Sequence, residues 1–597
     1  MLIQALCDYA DRQETDSLPD GWGYQDVDYR IMLTPEGDID NIVDIRDPKP
    51  VPGKKGAEKI VYEKIKILVP FRAKSTSISC YCGEHRPLYI FGLNCTKDGF
   101  HAGTGKDKAK KSHAAFVEHE LAFYDGLDSE MCTAYRRFVE KWDPEKETEH
   151  PELLKIAKDY GKSYFCFGLT GFRGNLEEDD QFKRRYQEYL LKKENDGDET
   201  EKQNGICAIY GERLPIARIH ENVKLPGGNT TGCVLVGMKE SAFTSYGKTQ
   251  SYNSNISEKA MKKYTGALNR LLEDKSHRTI LGDMVVVYFA MKKNDTAECD
   301  MFSIMLGNPV DNLEGSMTEL FQYTKSGGYT LTADCDVDES VTFYIAGMTP
   351  NSSRICQKFV YRDTFGKLIR NLIAHQNDLK IDADDPHQIF FSSIAKQLIS
   401  PKSSNAKVPP PLMSGVLLAA LQGTDYPTAL LETTVRRVKT DSDEEKKHYI
   451  KLNNVRAGII KACLNRKLRR KGKEEEITMS LNEKNLNPAY LCGRLFAVLE
   501  KIQQDSSGGG LNRTIKDSYF ASACARPSSI FPKLMKLSQN HMRKLSESNV
   551  YYNKLIGEIV SGFEGEYPQT LSLDDQGRFI IGYYQQNKAL YTGKNEK

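Results

Sequence analysis

The run at residues 284–290 limits the fold more than any other part of the chain. It reads Met-Val-Val-Val-Tyr-Phe-Ala, holds no charged residue and directly follows Gly282-Asp283. A short apolar run of β-branched and aromatic residues predicts a buried strand. A second such run, at residues 233–236, predicts another. Residues 257–272 predict a helix, because Ser257 can cap its start and apolar residues recur along one face.

A polar loop separates the second run from the helix. It is dense in side-chain amides and hydroxyls and carries one lysine. Loops on a rigid base commonly carry binding residues, so we identify four candidate recognition residues here: Tyr246, Lys248, Gln250 and Asn253. The alternative is that these groups only satisfy the backbone of their own turns.

Size and composition set the broad class. The chain has 597 residues, 27% of them charged and 39% hydrophobic, and a net charge of +2. These values predict several soluble globular domains, without a wholly basic surface. No apolar run is long enough to span a membrane and no basic leader precedes residues 2–6, so we expect a cytoplasmic protein. The 14 cysteines show no paired zinc-ligand spacing, so we expect reduced thiols and neither metal nor cofactor.

The N-terminal part mixes predicted strands with basic segments. Residues 2–11 predict a helix, residues 23–44 a strand, turn and strand, and residues 65–69 a strand. A basic, hydroxyl-rich segment follows and ends before a predicted strand at residues 88–92. Its candidate site residues are Lys74, Ser75, Thr76 and Ser77. The alternative is a solvated loop.

A basic helix start follows at residues 105–113. Lys106 and Lys110 are one turn apart, so both can neutralise backbone phosphate without reading base sequence. The alternative is a solvated helix face. The segment is not a phosphate-binding P-loop, because Asp107 follows the lysine where that motif needs serine or threonine.

Helical patterns dominate from residue 363. Residues 451–473 contain nine lysines or arginines and no acid, which is the strongest electrostatic signal for nucleic acid in the chain. Its candidate residues for backbone or displaced-strand contact are Arg466, Lys467, Arg469 and Arg470. The alternative is a basic linker without a partner.

The last part predicts an antiparallel helical bundle. Asn487 can cap a helix at residues 488–502, another helix follows Pro532, and residues 553–560 and 573–584 add more. The predicted fold class is α+β, an elongated multidomain chain with mixed α/β N-terminal and central regions and this bundle. The predicted segments are an N-terminal α+β domain at 1–200, a β-rich domain at 201–362, a mainly helical connector at 363–478 and the bundle at 479–597.

Several ordered motifs resemble one family. The chain carries Ala217-Arg218-Ile219-His220, then Ser245-Tyr246-Gly247 with Gln250 and Asn253, then an Ala-Leu-Asn helix end at residues 267–269. Together with Gly282-Asp283 and blocks near residues 488–496 and 525–532, these are similar to the large subunit of the type I-C CRISPR Cascade. The family continues its loop Asn-Ala-Pro, whereas this chain reads Asn253-Ser254-Asn255.

The resemblance implies a DNA-surveillance role. Such a subunit would recognise a protospacer-adjacent motif in duplex DNA, help R-loop formation and recruit a separate helicase-nuclease, while a guide RNA reads the target. The implied motif-reading segments are residues 74–77 and 246–253, the first within the segment 1–200. The implied partners are a crRNA-bound backbone, handle-binding subunits, a small subunit, duplex DNA and the displaced strand. The resemblance also implies an internal translation start, for which Met479 is the candidate.

No catalytic motif supports an enzyme. The chain lacks HExxH, a Walker lysine and a nucleophile elbow, so we expect a non-catalytic binding protein. Two alternatives stay open: a nuclease that itself cuts DNA, built from carboxylates that converge in the fold, and a purely structural scaffold.

Overall fold

The chain forms two compact units, one of residues Asp16–Lys202 and a larger one of Met1–Thr15 with Gln203–Lys597. The structure, a computed structural model, describes the following residues: 1–13, 21–52, 58–70, 78–105, 107–195, 203–308, 337–383, 388–403, 406–443, 451–474, 477–508, 511, 513–545 and 548–592. The first helix, α1 (Leu2–Arg12), belongs to the larger unit. The predicted division into four segments stays a prediction.

The smaller unit is built on short sheets. Its three-stranded sheet has the order β3-β2-β9, with β2 and β9 parallel, and three antiparallel pairs join β1 to β6, β4 to β5 and β7 to β8. The predicted strands near residues 23–44 and 65–69 are confirmed. The strand bounds are β1 (Trp22–Val27), β2 (Tyr29–Leu33), β3 (Ile39–Asp44), β4 (Asp47–Pro52), β5 (Glu58–Glu63), β6 (Ile65–Pro70), β7 (Leu93–Thr96), β8 (Gly99–Ala102) and β9 (Phe165–Leu169).

The α-helices described in the smaller unit pack on these sheets. They are α2 (Pro87–Ile90), α3 (Lys108–Tyr124), α4 (Glu130–Lys141), α5 (Pro151–Lys155) and α6 (Asp180–Asn195). The predicted strand at residues 88–92 is wrong, since this run forms α2. Pro87 sits in the first turn, where its fixed φ favours a helix, and Tyr89 and Ile90 are buried. A short apolar run cannot by itself distinguish a buried strand from a buried helical turn.

The larger unit contains a four-stranded antiparallel sheet. Its order is β12-β13-β14-β15, and every residue of β13 (Met284–Ala290) is buried. Met284, Val286 and Tyr288 face one core, whereas Val285 and Phe289 face a second core that includes α1. The run is continuously apolar because both faces of the strand are covered, as predicted. The other strands of this unit are β10 (Asn204–Ile206), β11 (Arg213–Pro215), β12 (Arg278–Leu281), β14 (Thr342–Asn351) and β15 (Arg354–Thr364).

The second predicted central strand is wrong. Residues 233–236 form only two isolated bridges, Cys233 with Val223 and Val234 with Arg354. Because these two neighbours pair with different segments, no ladder extends along the run. Cys233 is nevertheless buried, and Leu235 and Val236 pack partly against the same core, which accounts for the apolar run in the sequence.

The remaining α-helices that the structure describes belong to the larger unit. The predicted helices at 257–272 and beyond 363 are confirmed, and none of the described helices is long and apolar enough to cross a membrane. Their bounds are α7 (Glu258–Glu273), α8 (Thr296–Leu306), α9 (Phe365–Leu379), α10 (Phe391–Leu398), α11 (Pro410–Gln422), α12 (Thr428–Thr440), α13 (Asn454–Arg470), α14 (Pro488–Ser506), α15 (Ile515–Ala525), α16 (Pro527–Met542), α17 (Ser548–Ser561) and α18 (Leu573–Thr592).

Two glycines let α14 and α18 approach closely. A Cβ at Gly493 would lie 2.0 Å from the carbonyl oxygen of Phe579, and one at Gly582 would lie 2.2 Å from that of Tyr490. Any side chain at either position would therefore force the two helix backbones apart. The same hydrophobic core continues from these helices to β13, so residues 479–592 share a core with the preceding helices. The α+β class is confirmed.

One bundle boundary differs from the prediction. The helix expected after Pro532 begins at Pro527, and Pro532 lies inside α16. Proline is favoured in the first helical turn, and Pro527 occupies that turn in the structure. The prediction took Pro532 for the start of the helix and therefore placed the start too late.

Candidate nucleic-acid interface

The central loop, residues 245–255, begins with a tight turn. Ser245 and Lys248 form a bridge, and the intervening Tyr246 and Gly247 have φ angles of 50° and 72°. Two positive φ angles define a type I′ turn, which suits glycine but costs roughly 1–2 kcal/mol at tyrosine. Tyr246 is 100% exposed. The turn thus projects an aromatic ring entirely into solvent from a conformation that tyrosine disfavours.

Side chains inside the loop hold its shape. The Asn253 amide donates to the carbonyl oxygens of Lys248 at 2.7 Å and Gln250 at 3.1 Å, and the Lys248 ammonium donates to Asn255 at 2.8 Å. These bonds fix the backbone where the related family has a proline. The structure supports the alternative interpretation for Asn253, namely that its amide nitrogen only satisfies the backbone of its own turn.

Gln250 joins the loop to a second segment of the chain. Its side-chain oxygen accepts from the Arg218 guanidinium at 2.8 Å, and the Ser251 amide donates to the Arg218 carbonyl at 3.1 Å. The fold therefore brings together residues 217–220 and the central loop. Sequence reasoning did not name Arg218 as a site residue, although it lies in a motif that carries the resemblance.

A buried hydrogen-bond chain supports the loop from below. His220 Nδ1 lies 2.6 Å from the Tyr264 hydroxyl on α7, and His220 Nε2 lies 3.4 Å from Ser254 Oγ. Because Ser254 donates its own proton to the Ser251 carbonyl at 2.6 Å, the ring donates through Nε2 and accepts from Tyr264 at Nδ1. Burial lowers the pKa of His220 to about 4, so this ring is neutral at neutral pH.

Helix α7 provides the rigid base for these contacts. Ser257 caps it by accepting from the Ala260 amide at 3.2 Å, and its buried side includes Tyr264 and Leu268. The Ala217 amide donates to the Ile256 carbonyl at 2.9 Å, which ties the loop's exit to the other segment. The helix cap predicted from the sequence therefore also positions the end of the central loop.

The N-terminal candidates belong to the smaller unit. Lys74, Ser75, Thr76, Ser77 and Lys106 lie outside the described residues. Lys110 is exposed near the start of α3, where Lys108 and Lys111 are also exposed and Asp107 caps the first turn. The predicted basic helix start is confirmed, and the role of these lysines stays a prediction.

The basic run at 451–473 is mostly helix α13, and its first cations are buried. Arg466 has a 4% exposed side chain and forms a 2.6 Å ion pair with the equally buried Asp378. It also donates to the carbonyl oxygens of Ala419 and Thr424, at 2.9 and 2.7 Å, and stacks over the Tyr426 ring. These bonds tie α13 to α9 and to the end of α11.

The last turn of α13 reaches the surface. Arg470 is 63% exposed and pairs with Asp425 at 3.2 Å, and Arg469 is 48% exposed and pairs with Asp378 at 2.7 Å. Lys467 is less exposed and pairs with Asp574 at 2.6 Å. The surface charge of the basic run is therefore concentrated at its C-terminal end, where Lys471 and Lys473 are also exposed.

Met479 lies between α13 and α14. Its side chain is 52% exposed, while its carbonyl accepts from the Asp382 amide at 3.1 Å and the Gln585 side chain at 3.3 Å. The helices that follow Met479 are not isolated from those before it. Gly577 on α18 sits against Ile460 and Leu464 of α13.

Two groups of side chains could hold a metal ion in the described part of the chain. One combines Cys80, His119 and Glu120, and the other combines His277, Asp295 and Cys299. Neither has the sequence spacing of a known zinc motif, because the fold brings its members together from different elements.

A family model for the CRISPR-associated protein (Cas_Csd1) matches residues 6–591, which is nearly the whole chain. No curated protein matches the chain. The match spans both compact units, including the central loop, α13 and the C-terminal helices. This protein therefore belongs to the Cas_Csd1 family of CRISPR-associated proteins, whose members are Cascade-type large subunits.

Proposed function

We propose that this chain is the large subunit of a type I-C Cascade and that its central loop recognises the protospacer-adjacent motif in duplex DNA. The observation that supports this role is that the loop is held by internal hydrogen bonds while other side chains of the loop are exposed. Half-buried Asn253 holds its backbone from inside and buried His220 contacts the Ser254 side chain, while Tyr246 stands fully in solvent and Gln250 is partly exposed. A binding loop whose shape is fixed before binding loses little entropy on association.

The exposed groups suit a DNA ligand. A glutamine amide can pair with base edges, and the orientation of Gln250 is fixed by Arg218. An exposed tyrosine ring can stack on a base that the opening duplex releases. The exposed guanidinium edge of Arg218 and the ammonium of Lys248 add positive charge for phosphate. Within this proposal Asn253 shapes the loop instead of contacting a base.

A second part of the proposal concerns the displaced strand. The exposed C-terminal end of α13 offers Arg469 and Arg470, followed by exposed Lys471 and Lys473. A cluster of this kind fits a single-stranded backbone. Arg466 is left out of the contact set, because its guanidinium is engaged in the core.

In this assignment the protein is non-catalytic and acts in the cytoplasm. It works with a crRNA-bound backbone, handle-binding subunits and a small subunit, promotes R-loop formation and recruits a separate helicase-nuclease that cuts the target. Residues 74–77 and Lys106 and Lys110 would add contacts from the smaller unit.

Binding of duplex DNA by the guide-loaded complex tests the proposal. Complexes with and without this chain are compared on targets whose flanking motif is intact or scrambled, at two salt concentrations. We expect tight binding only when both the chain and the intact motif are present. If the chain raises affinity equally on both targets, it is a non-specific clamp or a scaffold. Metal-dependent cleavage by the isolated chain would instead support a nuclease.

We also propose that Met479 starts a separate small-subunit product. The codons for residues 471–476 can be almost wholly purine, as in a bacterial ribosome-binding site, and the next two residues give the spacing. Immunoblotting with a C-terminal tag should show a short band that Met479→Leu removes and Met535→Leu leaves unchanged. Met479 suits this test because its side chain is half-exposed and only its backbone carbonyl makes the bonds described. An unchanged short band would rule out this start.

A further inference from the structure

A buried group of metal-binding side chains lies at the edge of the central sheet. His277 ends the short 3₁₀ turn Lys275–His277 after α7, Asp295 directly precedes α8, and Cys299 lies in the second turn of α8. All three residues are buried. They come from two separated parts of the chain and meet beside β13, so no local sequence pattern marks the group.

The distances within the group suit a shared cation. His277 Nε2 lies 3.8 Å from Asp295 Oδ1, Cys299 Sγ lies 3.5 Å from Asp295 Oδ2, and the three donor atoms lie within 4.8 Å of one another. With zinc bonds of about 2.0–2.3 Å, neighbouring ligand atoms of a tetrahedral site lie roughly 3.3–3.8 Å apart. The 3.8 Å separation is too long for a hydrogen bond but fits two ligands of one ion.

Surrounding groups orient the histidine for this role. His277 Nδ1 lies 3.2 Å from the Tyr288 carbonyl. A carbonyl only accepts, so Nδ1 carries a proton and donates to it, and this bond turns Nε2 towards the two carboxylates. A backbone partner of this kind is the usual support of a metal-binding histidine. In the part of the chain that the structure describes, Nε2 forms no hydrogen bond of its own.

The carboxylate is also held in place before any metal binds. Asp295 Oδ2 accepts from the Ala290 amide at 3.0 Å, and Oδ1 accepts from the Tyr9 hydroxyl at 3.3 Å. Tyr9 lies on α1 and Ala290 ends β13, so the position of the carboxylate is fixed by two elements outside α8. The three donors are therefore preorganised.

A further carboxylate, outside the group of three close donors, lies beside His277 on the solvent side. Asp274 Oδ2 is 3.8 Å from His277 Nε2, while Asp274 Oδ1 caps the turn by accepting from the Ser276 amide at 2.8 Å. The Asp274 side chain is 52% exposed, so ions can reach the group from this side. Two carboxylates and a thiol therefore face one imidazole, and the negative charge of the carboxylates favours a cation.

We propose that His277, Asp295 and Cys299 bind a structural zinc ion, and that the half-exposed Asp274 side chain turns towards the ion to become its fourth ligand. Zinc binding replaces the thiol proton, which passes to solvent, and forms a zinc–thiolate bond. Without the ion, the Cys299 thiol donates to Asp295 Oδ2 at 3.5 Å. The ion would clamp the end of α7 and the start of α8 to β13.

The second candidate group does not share these features. Glu120 accepts from His119 Nδ1 at 2.9 Å, from the Gly83 amide at 3.1 Å and from the Tyr135 hydroxyl at 2.9 Å. In this group the histidine is hydrogen-bonded directly to the carboxylate, whereas His277 lies 3.8 Å from Asp295, so the space for an ion between these two ligands is absent here. Cys80→Ser is for this reason the matched control for the proposed site.

Metal analysis of the full-length chain, purified without a metal-affinity step, tests the proposal. We expect about one zinc per chain, as a single tetrahedral site requires. Cys299→Ser and His277→Gln should lose it, whereas Cys80→Ser and Cys463→Ser, another buried cysteine, should retain it. Zinc that persists in Cys299→Ser, or wild-type protein that binds none after incubation with zinc chloride, overturns the proposal.

Cobalt gives a readout that does not depend on the stability of a core variant. Chelator-treated wild-type chain titrated with Co²⁺ should develop a thiolate-to-cobalt charge-transfer band. The half-exposed Asp274→Asn, which leaves the core packing intact, should weaken Co²⁺ affinity at least tenfold. A wild-type spectrum with no thiolate band, or Asp274→Asn affinity equal to wild type, contradicts the proposed site.

Discussion

The sequence predicted DNA contact for both the central loop and helix α13, but the two elements differ in which of their side chains reach solvent. In the loop, Asn253 makes internal bonds and Tyr246 stands in solvent, while His220 supports the loop from below. In α13, Arg456 and Arg466 are buried in ion pairs, and only the last turn exposes its cations. A run of charge in a sequence therefore does not locate a charged surface.

The difference follows from the surroundings of each element. Every residue of α13 from Arg456 to Arg466 is buried, so its cations have no water-facing side and must find internal partners. Asp441 and Asp378 supply the countercharges from neighbouring segments. The central loop, by contrast, lies at the start of α7. The polar side chains of the loop that point inward form hydrogen bonds with the loop's own backbone.

The largest expected effect is on the buried half of α13. Arg466→Ala leaves the half-exposed Arg469 as the countercharge of buried Asp378 and removes two hydrogen bonds to carbonyl groups, so it should lower the free energy of unfolding by about 3–5 kcal/mol. Chemical denaturation monitored by circular dichroism measures this change. Arg470→Ala, on the exposed turn, is the matched control and should change stability by less than about 0.5 kcal/mol. Equal effects at the two sites would contradict the contrast between core and surface.

The support of the central loop should depend on pH. Burial lowers the pKa of folded His220 to about 4, whereas the ordinary value is 6.5. As the pH falls, the unfolded chain binds the proton first, so stability is complete above pH 6.5 and declines towards pH 4. The loss should be about 1–3 kcal/mol. Unfolding curves of wild type and His220→Gln across this range check it, because the variant should lack this part of the pH dependence.

The exposed ring of Tyr246 should matter for DNA and not for folding. Tyr246→Ala should weaken binding of motif-bearing duplex by the guide-loaded complex by about 1–3 kcal/mol, the usual value of base stacking, while Tyr246→Phe retains it. Tyr246→Asn should keep the turn, since asparagine tolerates positive φ, and should bind as poorly as the alanine variant. Unchanged binding in all three variants would remove the ring from the proposed interface.

Gln250 should affect discrimination between motifs. Gln250→Ala removes a group that can pair with a base edge and should reduce the preference for intact over scrambled motif by about 1–3 kcal/mol. Affinity for the scrambled target should stay the same. Asn253→Ala, which removes the internal bonds of the loop, should instead weaken both loop order and discrimination. A uniform loss for Gln250→Ala on both targets would contradict base reading.

The smallest effect is expected at the exposed end of α13. Arg470→Gln removes one surface charge and should lower affinity for single-stranded DNA equally for all sequences. The slope of log affinity against log salt should fall by about 1. Binding isotherms at several salt concentrations measure this slope, and an unchanged slope would exclude Arg470 as a phosphate contact.

The sequence predicted elements well where local chemistry is decisive. The caps at Ser257 and Asn487 and the strand at 284–290 appear as expected, because a cap bond and a doubly buried strand both leave local patterns. The strands predicted at 88–92 and 233–236 were wrong, because a short apolar run records burial and not backbone conformation. Helix α15 (Ile515–Ala525) was missed altogether.

The candidate site was predicted only in outline. The loop residues were identified from their chemistry and their resemblance to a family, but the internal role of Asn253 depends on carbonyl groups that only the folded turn places beside it. Arg218 entered the site because residues 217–220 pair with the loop across more than thirty positions. Arg466 has the same charge as Arg470, and only packing separates them.

The sequence by itself determined the α+β class, the helix caps, the buried central strand and the family. Each of these depends on neighbouring residues or on motifs that can be read in order. Tertiary structure alone decided which cations of α13 reach water, which amides of the central loop face outward, and that His277 meets Asp295 and Cys299. Burial and long-range contact depend on the whole chain, so residues of one type acquire different roles according to what the fold packs around them.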